Sequence, residues 1–272
     1  DITISGSSTV LTLTGDVKIS TVLTLTNGVI ITNGHTLEIG TSTSNTGSLV
    51  RTTGGVIRGT LKRWFAPSTE TTSTLFPISN YHYDTFIHSY TDDYVGAEIS
   101  FTSGGPVTGG SLTAHFDTTG SGLLPLGPNG VNRYIDAGGL WPGVNFINLT
   151  PQFWTISVGD GLADFTYNIS LTGLGMGIST TATLYTGVVK RNTGGGNTWA
   201  WSEANHVMTS GSSTPVLGIN GLQAFSDFAI VGNQDNLLPV ELSNLTSAIS
   251  GRDLLLSWST GTEINNSGFD IE

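Results

Sequence analysis

Histidine and aspartate residues cluster in one stretch of the sequence and could bind a metal ion. The segment YHYDTFIHSYTDDY contains His82, His88, Asp84, Asp92 and Asp93. Imidazole nitrogens and carboxylate oxygens are suitable ligands for calcium or a transition metal. Their spacing matches neither the zincin helix nor the EF-hand loop, and a polar, tyrosine-rich loop at the rim of a sandwich accounts for the same residues. We favour the loop and predict no metal ion or other cofactor.

Paired carboxylates could hydrolyse glycosides, and Asp160, Asp164 and Glu203 are the candidates. Only 20 acidic residues are spread along the chain, most of them in turn-like contexts, so a chance pairing explains these three better. The sequence contains no Gly-x-Ser-x-Gly elbow and no Gly-x-x-x-x-Gly-Lys-Ser/Thr loop, which removes the usual basis for esterase or nucleotide chemistry. We therefore expect no enzymatic activity.

Aromatic side chains could form a platform for a sugar, because their faces pack against the apolar faces of sugar rings. Trp141 is the best candidate for glycan contact, since its segment GGLWPGVN reads as a loop. Core packing or a subunit contact is the other explanation for this tryptophan, and we favour it.

The composition indicates that these residues are held by β-strands. Glycine accounts for 37 of the 272 residues, and only 11% of residues are charged, against roughly 25% in an average soluble domain. Short strands joined by Gly, Ser and Asn turns fit this profile, whereas helical bundles need abundant Ala, Leu, Glu and Lys. We predict an all-β protein.

Charge and cysteine content restrict the partners. The formal net charge of −11 argues against nucleic acid, which requires a dense basic surface. There is no cysteine, so disulfide bonds and thiolate metal sites are excluded. No apolar run of about 18 residues occurs, and we predict no membrane span. The chain opens on DITISGSSTV, which resembles a mature N-terminus from which a leader has been removed.

The first 65 residues form a β-repeat region. Apolar residues alternate with threonine, and they recur in phase about every 12 residues at Leu11 and Leu13, Leu23 and Leu25, and Leu37 and Ile39. Such units are too small to bury their own apolar face, so a solenoid-like stack and a small sandwich both fit. The segment GGVIRGTLKRWF resembles the strand that closes this region.

Two further regions follow. Residues 77–232 contain seven or more short strand patterns separated by Gly, Pro and Asn turns, which predicts a β-sandwich anchored by Trp154, Trp199 and Trp201. Residues 237–272 contain three strand patterns, VELSNLTSAI, DLLLSWST and SGFDIE. Since an immunoglobulin-like sandwich needs about seven strands, we expect a partial module whose missing strands come from elsewhere.

The last region resembles a known group of proteins. LPVEL at 238–242, LSW at 256–258, TEINN at 262–266 and GFDIE at 268–272 resemble the start of the fibronectin-type-III-like segment that precedes a C-terminal sorting domain in secreted surface proteins of Bacteroidetes and related phyla. These proteins leave the cell through the type IX secretion system. GSLVRTTGGVIRGTLKRWF, LFPIS, FWTISV and FSDFAIVG are similar to further patterns of the group. The resemblance implies an extracellular or cell-surface location.

Members of this group serve as adhesins, matrix or filament components, and non-catalytic parts of larger enzymes. We expect an extracellular structural subunit that forms or decorates a filament, sheath or surface layer by β-strand-mediated self-association, as a homo-oligomer or polymer. The alternative is a non-catalytic carbohydrate-binding adhesin module that contacts extracellular polysaccharide. The candidate assembly residues are Ile2, Ile4, Val10, Leu11, Leu13, Leu254, Leu256 and Trp258.

Overall fold

The computed structural model describes residues 1–52, 54–68, 73–84, 89–102, 105–117, 135–136, 145–148, 152–173, 186–191, 199–201, 206–209, 216–233, 242–250 and 253–260. Every helix or strand assigned in these ranges is a strand, which confirms the all-β prediction. Within the same ranges, no helix has the length and hydropathy that crossing a membrane requires.

Twenty-three strands are described. They are β1 (Ile2–Ile4), β2 (Val10–Thr12), β3 (Val17–Ile19), β4 (Val22–Leu25), β5 (Val29–Ile39), β6 (Ser48–Arg51), β7 (Val56–Phe65), β8 (Thr74–Phe76), β9 (Ser79–Asp84), β10 (Ser89–Tyr94), β11 (Ala97–Phe101), β12 (Gly110–Asp117), β13 (Ile135–Asp136), β14 (Asn145–Asn148), β15 (Phe153–Gly159), β16 (Tyr167–Thr172), β17 (Thr186–Arg191), β18 (Ala200–Trp201), β19 (His206–Thr209), β20 (Val216–Leu222), β21 (Asp227–Asn233), β22 (Leu242–Ser250) and β23 (Asp253–Thr260).

The first seven strands pair in parallel and form three levels. We call β1, β2 and β3 the first coil, β4 and β5 the second coil, and β6 and β7 the third coil. Strand β4 lies between β1 and β6, and β5 pairs with β2 and β3 on one side and with β7 on the other. Hairpins pair antiparallel, so this parallel pairing favours the solenoid-like arrangement over a small sandwich.

Residues in register in successive coils form columns that run through the stack. Leu23 lies beneath Ile2, and Ile30 lies beneath Leu11, so the leucines about 12 residues apart in the sequence are not stacked on one another. The inward-pointing residues of the second coil are fully buried. At Gly40 the chain turns with φ of +88°, and a Cβ there would lie 2.5 Å from the carbonyl carbon of Thr46, so only glycine fits.

Strand β7 joins the coil stack to the rest of the molecule. One of its edges pairs in parallel with β5, and the C-terminal half of the other edge, Leu61 to Phe65, pairs antiparallel with β12. One sheet of eleven strands therefore continues across the boundary predicted between residues 65 and 77. A single hydrophobic cluster includes residues of both regions, among them Leu25, Leu61 and Trp154.

The central strands have the character of a β-sandwich. A five-stranded sheet in the order β19-β20-β16-β11-β8 supplies one buried face, and β12, β15 and β21 of the large sheet supply another. Phe65 and Phe101 meet edge to face at 5.1 Å between ring centres. Of the predicted anchors, Trp154 and Trp199 are buried, and the Trp154 Nε1–H donates to the Val95 carbonyl at 2.7 Å. The Trp201 side chain lies outside the described residues.

The tail contains an antiparallel hairpin. Strands β22 and β23 pair along their whole length and form a two-stranded sheet. They coincide with the first two strand patterns predicted there, and the third, SGFDIE, lies outside the described residues. The division into regions 1–65, 77–232 and 237–272 stays a prediction.

Candidate assembly surface

The first coil has an open backbone edge. Each of its strands pairs on one side only, and no strand in the described part of the chain pairs with the opposite edges. Directly after β2, the Leu13 N–H donates to the Ile31 carbonyl of the second coil at 2.9 Å. Because backbone groups of alternate residues point to opposite edges of a strand, the N–H groups of Val10 and Thr12 point to the open edge. These groups can pair with an additional strand.

Two inward columns are also open at this end. Ile2 is 37% exposed, whereas Leu23 beneath it is 0% exposed. In the next column Leu11 is 39% exposed and Ile30 beneath it is 1% exposed. Other inward residues of the first coil, such as Ile4 and Ile19, are buried, so this coil is open at the Ile2 and Leu11 columns. Val10 adds a further apolar side chain that is 59% exposed.

The structure divides the predicted assembly residues into two groups. Ile2, Val10 and Leu11 are exposed together on the first coil. Ile4 and Leu13 are buried and hold this coil on the second one, so they do not offer contact area. Among the tail candidates, Trp258 on β23 is 37% exposed and Leu256 is half-buried.

Two of the predicted contact residues have no described side chain. The Leu254 side chain and Trp141, the candidate for glycan contact, lie outside the described residues. The first coil is the part of the predicted assembly surface in which the structure describes every predicted side chain.

The opposite end of the stack is closed by arginines. Arg51 is in register with Leu25, and its Nε–H donates to the Gly55 carbonyl at 2.8 Å. Its guanidinium carbon lies 4.0 Å from the centre of the Tyr94 ring, a cation–π distance. Both contacts place polar and aromatic groups of the same chain at the end of this column.

A second arginine closes another column. Arg63 is in register with Ile39, and its Nη1–H donates to the Leu75 carbonyl at 3.0 Å. Burial lowers the pKa of Arg63 to about 10, which still leaves the guanidinium charged at neutral pH. These two columns are therefore capped at their lower ends by contacts within the chain.

No protein-family model, curated protein or solved structure matches this chain. The function must therefore be argued from the sequence and from the geometry of the described residues.

The β9–β10 hairpin contains the residues that raised the possibility of a metal site. Asp92 accepts hydrogen bonds from the Arg58 guanidinium, with Nε–H to Oδ1 at 2.8 Å, and from the Ser79 hydroxyl at 2.9 Å. His82 Nε2 lies 3.7 Å from Asp93 Oδ2. Among the described residues, no three histidine or acidic side chains are grouped as metal ligands. The side chains of Asp84 and His88 lie outside those residues.

The carboxylate of Asp160, a candidate for glycoside chemistry, makes an ion pair and a hydrogen bond within the chain. Asp160 Oδ2 lies 2.7 Å from Lys62 Nζ and accepts a hydrogen bond from Ser111 Oγ at 2.6 Å. The hydrogen bond from Lys62 and that from Ser111 hold the pKa of Asp160 below its usual value. Asp164 lies in a turn with φ of +55°, and Glu203 lies outside the described residues. Asp160 thus behaves as an ion-pair partner rather than as a proton donor.

A polar ladder runs beside these contacts on the outer side of the coils. Lys18, Glu38 and Lys62 are in register on β3, β5 and β7. Glu38 Oε2 lies 3.0 Å from Lys18 Nζ, and Glu38 Oε1 accepts a hydrogen bond from Trp64 Nε1–H at 2.5 Å. The ladder ties the first coil to the second and third coils, so the exposed first coil is held in place.

Proposed function

We propose that this protein is an extracellular structural subunit that forms or decorates a filament, sheath or surface layer, and that the first coil is where one copy contacts another. The observation that carries the proposal is the open end of the inward columns at Ile2 and Leu11. The extracellular location is supported by the resemblance of residues 238–272 to secreted surface proteins.

The physical basis of the contact is the apolar area that the first coil exposes. Full burial of an isoleucine, valine or leucine side chain contributes about 1.5–3 kcal/mol, and Ile2, Val10 and Leu11 have a large part of that still to gain. Terminal repeats of stacked proteins ordinarily present a polar outer face, since an apolar one promotes association. An added strand would also satisfy the backbone groups at the open edge.

Charge favours another copy of this chain as the occupant. The whole chain carries a net charge of −11, which opposes contact between copies over most of their surface. Residues 1–25 contain only Asp1, Asp16 and Lys18 as charged side chains, two acids against one base. The first coils of two molecules can therefore approach with little repulsion, and their alternating apolar and threonine residues match each other in length and period.

The test compares the assembly of the purified chain with that of two variants by sedimentation velocity and negative-stain electron microscopy. Leu11→Lys places a charge at the top of an inward column, and Thr12→Pro removes an N–H that points to the open edge. Proline is tolerated on the solvent side of an edge strand, so both variants should keep the melting temperature of the unassembled chain. We expect ordered assemblies for the unaltered chain and at least a tenfold higher threshold concentration for each variant.

Val158→Lys is the matched control, because Val158 is 50% exposed on β15, outside the first coil. It should assemble like the unaltered chain. Single particles of the unaltered chain at every concentration tested would overturn the proposal, and so would normal assembly of Leu11→Lys and Thr12→Pro.

A further inference from the structure

A groove lies on the outer face of the five-stranded sheet. Its volume is about 300 Å³. It carries hydroxyl and amide side chains and one carboxylate, while most of its exposed lining area is apolar; the lining residues are Ser73, Glu98, Ser100, Asn168, Ile169, Ser170, Val216, Gly218 and Asn220. None of these residues belongs to the coil stack, so the groove is separate from the proposed assembly surface.

The register of the sheet explains why these side chains share one face. Glu98 on β11 pairs with Ser170 on β16, and Ser170 pairs with Gly218 on β20. The intervening residues, such as Ile99 and Ile169, point into the core and are buried. Because side chains alternate along a strand, Ser100 lies on the same outer face as Glu98. Gly218 contributes no side chain, which leaves the floor of the groove open.

Several polar groups in the groove are free to bind a ligand. Asn168 Oδ1 accepts a hydrogen bond from the Gly221 N–H at 3.0 Å, and Glu98 accepts one from the Ser73 hydroxyl. These bonds fix the orientation of Asn168 and Glu98. The side chains of Ser100, Ser170 and Asn220 make no hydrogen bond to another described residue. Three groups that can donate and accept therefore surround the same small volume.

We infer that this groove binds a neutral saccharide. Sugar hydroxyls both donate and accept hydrogen bonds, as do the serine hydroxyls and the asparagine amide that line the groove. The half-buried Val216 side chain offers apolar area to the C–H groups of a sugar ring. The charged side chain is Glu98, so a uronate, sulfate or phosphate group would be repelled, as it would by the net charge of the whole chain.

The experiment is affinity electrophoresis of the whole chain through gels that contain a neutral glucan, mannan or xylan, or polygalacturonate. The mobility of the chain in each gel is divided by its mobility in a gel without polysaccharide, so retardation caused by self-assembly cancels. We expect retardation by at least one neutral polysaccharide and none by polygalacturonate. Calorimetry with a tetrasaccharide of the retarding polymer then gives the affinity. If no neutral polysaccharide retards the chain, or if polygalacturonate retards it most, the inference fails.

The variant Ser170→Val tests whether the sugar binds in the groove. Valine is well tolerated in strands, fills part of the groove and removes one hydrogen-bonding group, so we expect about fivefold to tenfold weaker binding. Ser157→Val makes the same change on β15, outside the groove, and should bind like the unaltered chain. Unchanged binding by Ser170→Val would overturn the inference, with loss of binding in Trp141→Ala then pointing to the tryptophan instead.

Glu98→Gln tests the role of charge. The amide keeps an acceptor for Ser73 and removes the negative charge from the groove. The Kd for the neutral tetrasaccharide should stay within about twofold of the value for the unaltered chain. The ratio of the Kd for the corresponding oligouronate to the Kd for the neutral sugar should decrease. If Glu98→Gln kept the full preference for the neutral sugar, the charge of Glu98 would not be the cause of that preference. Because the first coil is unaltered in these variants, failure here leaves the assembly proposal standing.

Discussion

At the lower end of the coil stack two inward columns finish on arginine, whereas at the upper end two other columns finish on exposed isoleucine and leucine side chains. Arg51 and Arg63 close the lower end and bind backbone carbonyls and the Tyr94 ring of the same chain. Ile2 and Leu11 lie at the upper end of the columns that continue through Leu23 and Ile30, and they remain exposed. The columns that end on Arg51 and Arg63 begin on Ile4 and Ile19, which are buried, so the open and the closed column ends belong to different columns.

The comparison shows how a stack of coils can be ended in two ways. A terminus that binds its own chain satisfies its polar groups and limits further growth. A terminus that exposes unpaired backbone groups and apolar side chains is a template for another strand. In this molecule the two arginines contact Tyr94 and Leu75, whereas no described strand lies above Ile2 and Leu11.

The largest expected effect compares leucine truncation at the two levels. Leu25 is fully buried in the second coil, so Leu25→Ala should lower the free energy of unfolding by about 2–5 kcal/mol. Leu11→Ala removes the same atoms from a side chain that is still partly in water, and should cost less than about 1 kcal/mol in the unassembled chain. Urea denaturation at low protein concentration measures both. Equal losses of unfolding free energy in the two variants would mean that Leu11 is as buried as Leu25. The first coil would then not be open at this column.

The sequence was sufficient to predict the strands, and in part their burial. Alternation of leucine with threonine predicts which faces point inward, and the structure shows Leu13, Leu23 and Leu25 buried as that pattern requires. It does not predict that Leu11 is exposed while Leu13 is buried. That difference depends on which residues pack against each position, and residues in register, such as Val10 and Val29, are distant in sequence.

The closed end and the groove were not predictable for the same reason. Arg63 in the segment GGVIRGTLKRWF has the appearance of a surface residue, and its burial arises only when Leu75 lies against it. Ser100, Ser170 and Asn220 are unremarkable polar residues of three strands that are far apart in the chain. The antiparallel order β20-β16-β11 brings them onto one face, and no local pattern specifies that order.

A smaller effect is expected from opening the closed end. Arg51→Met should lower the free energy of unfolding by about 1–2 kcal/mol, because it removes the bond to the Gly55 carbonyl and the contact with the Tyr94 ring. Tyr94→Leu removes the ring alone. A double-mutant cycle by urea denaturation should give a coupling of about 0.5–1 kcal/mol between the two residues. A coupling energy of zero would show that the Tyr94 ring does not contribute to the stabilisation by Arg51.

The smallest effect concerns the polar ladder that holds the first coil in place. Burial alone would raise the pKa of Glu38, but the hydrogen bond from Trp64 and the charges of Lys18 and Lys62 outweigh it and hold the pKa below its usual value. A carboxylate with a lowered pKa stabilises the folded state above the pKa of the unfolded chain, about 4.3 for glutamate, and loses this contribution as the pH falls through the folded value.

Glu38→Gln keeps an acceptor for Trp64 and removes the charge, so it isolates the ion pairs from the hydrogen bond. We expect it to be less stable than the unaltered chain by up to about 1 kcal/mol at neutral pH, with the gap closing as the solution is acidified below the unfolded pKa. Urea midpoints measured across this range test the sign. A gap that widens on acidification would mean that Glu38 is protonated in the folded chain, and the ladder could then not hold the open coil in register by charge.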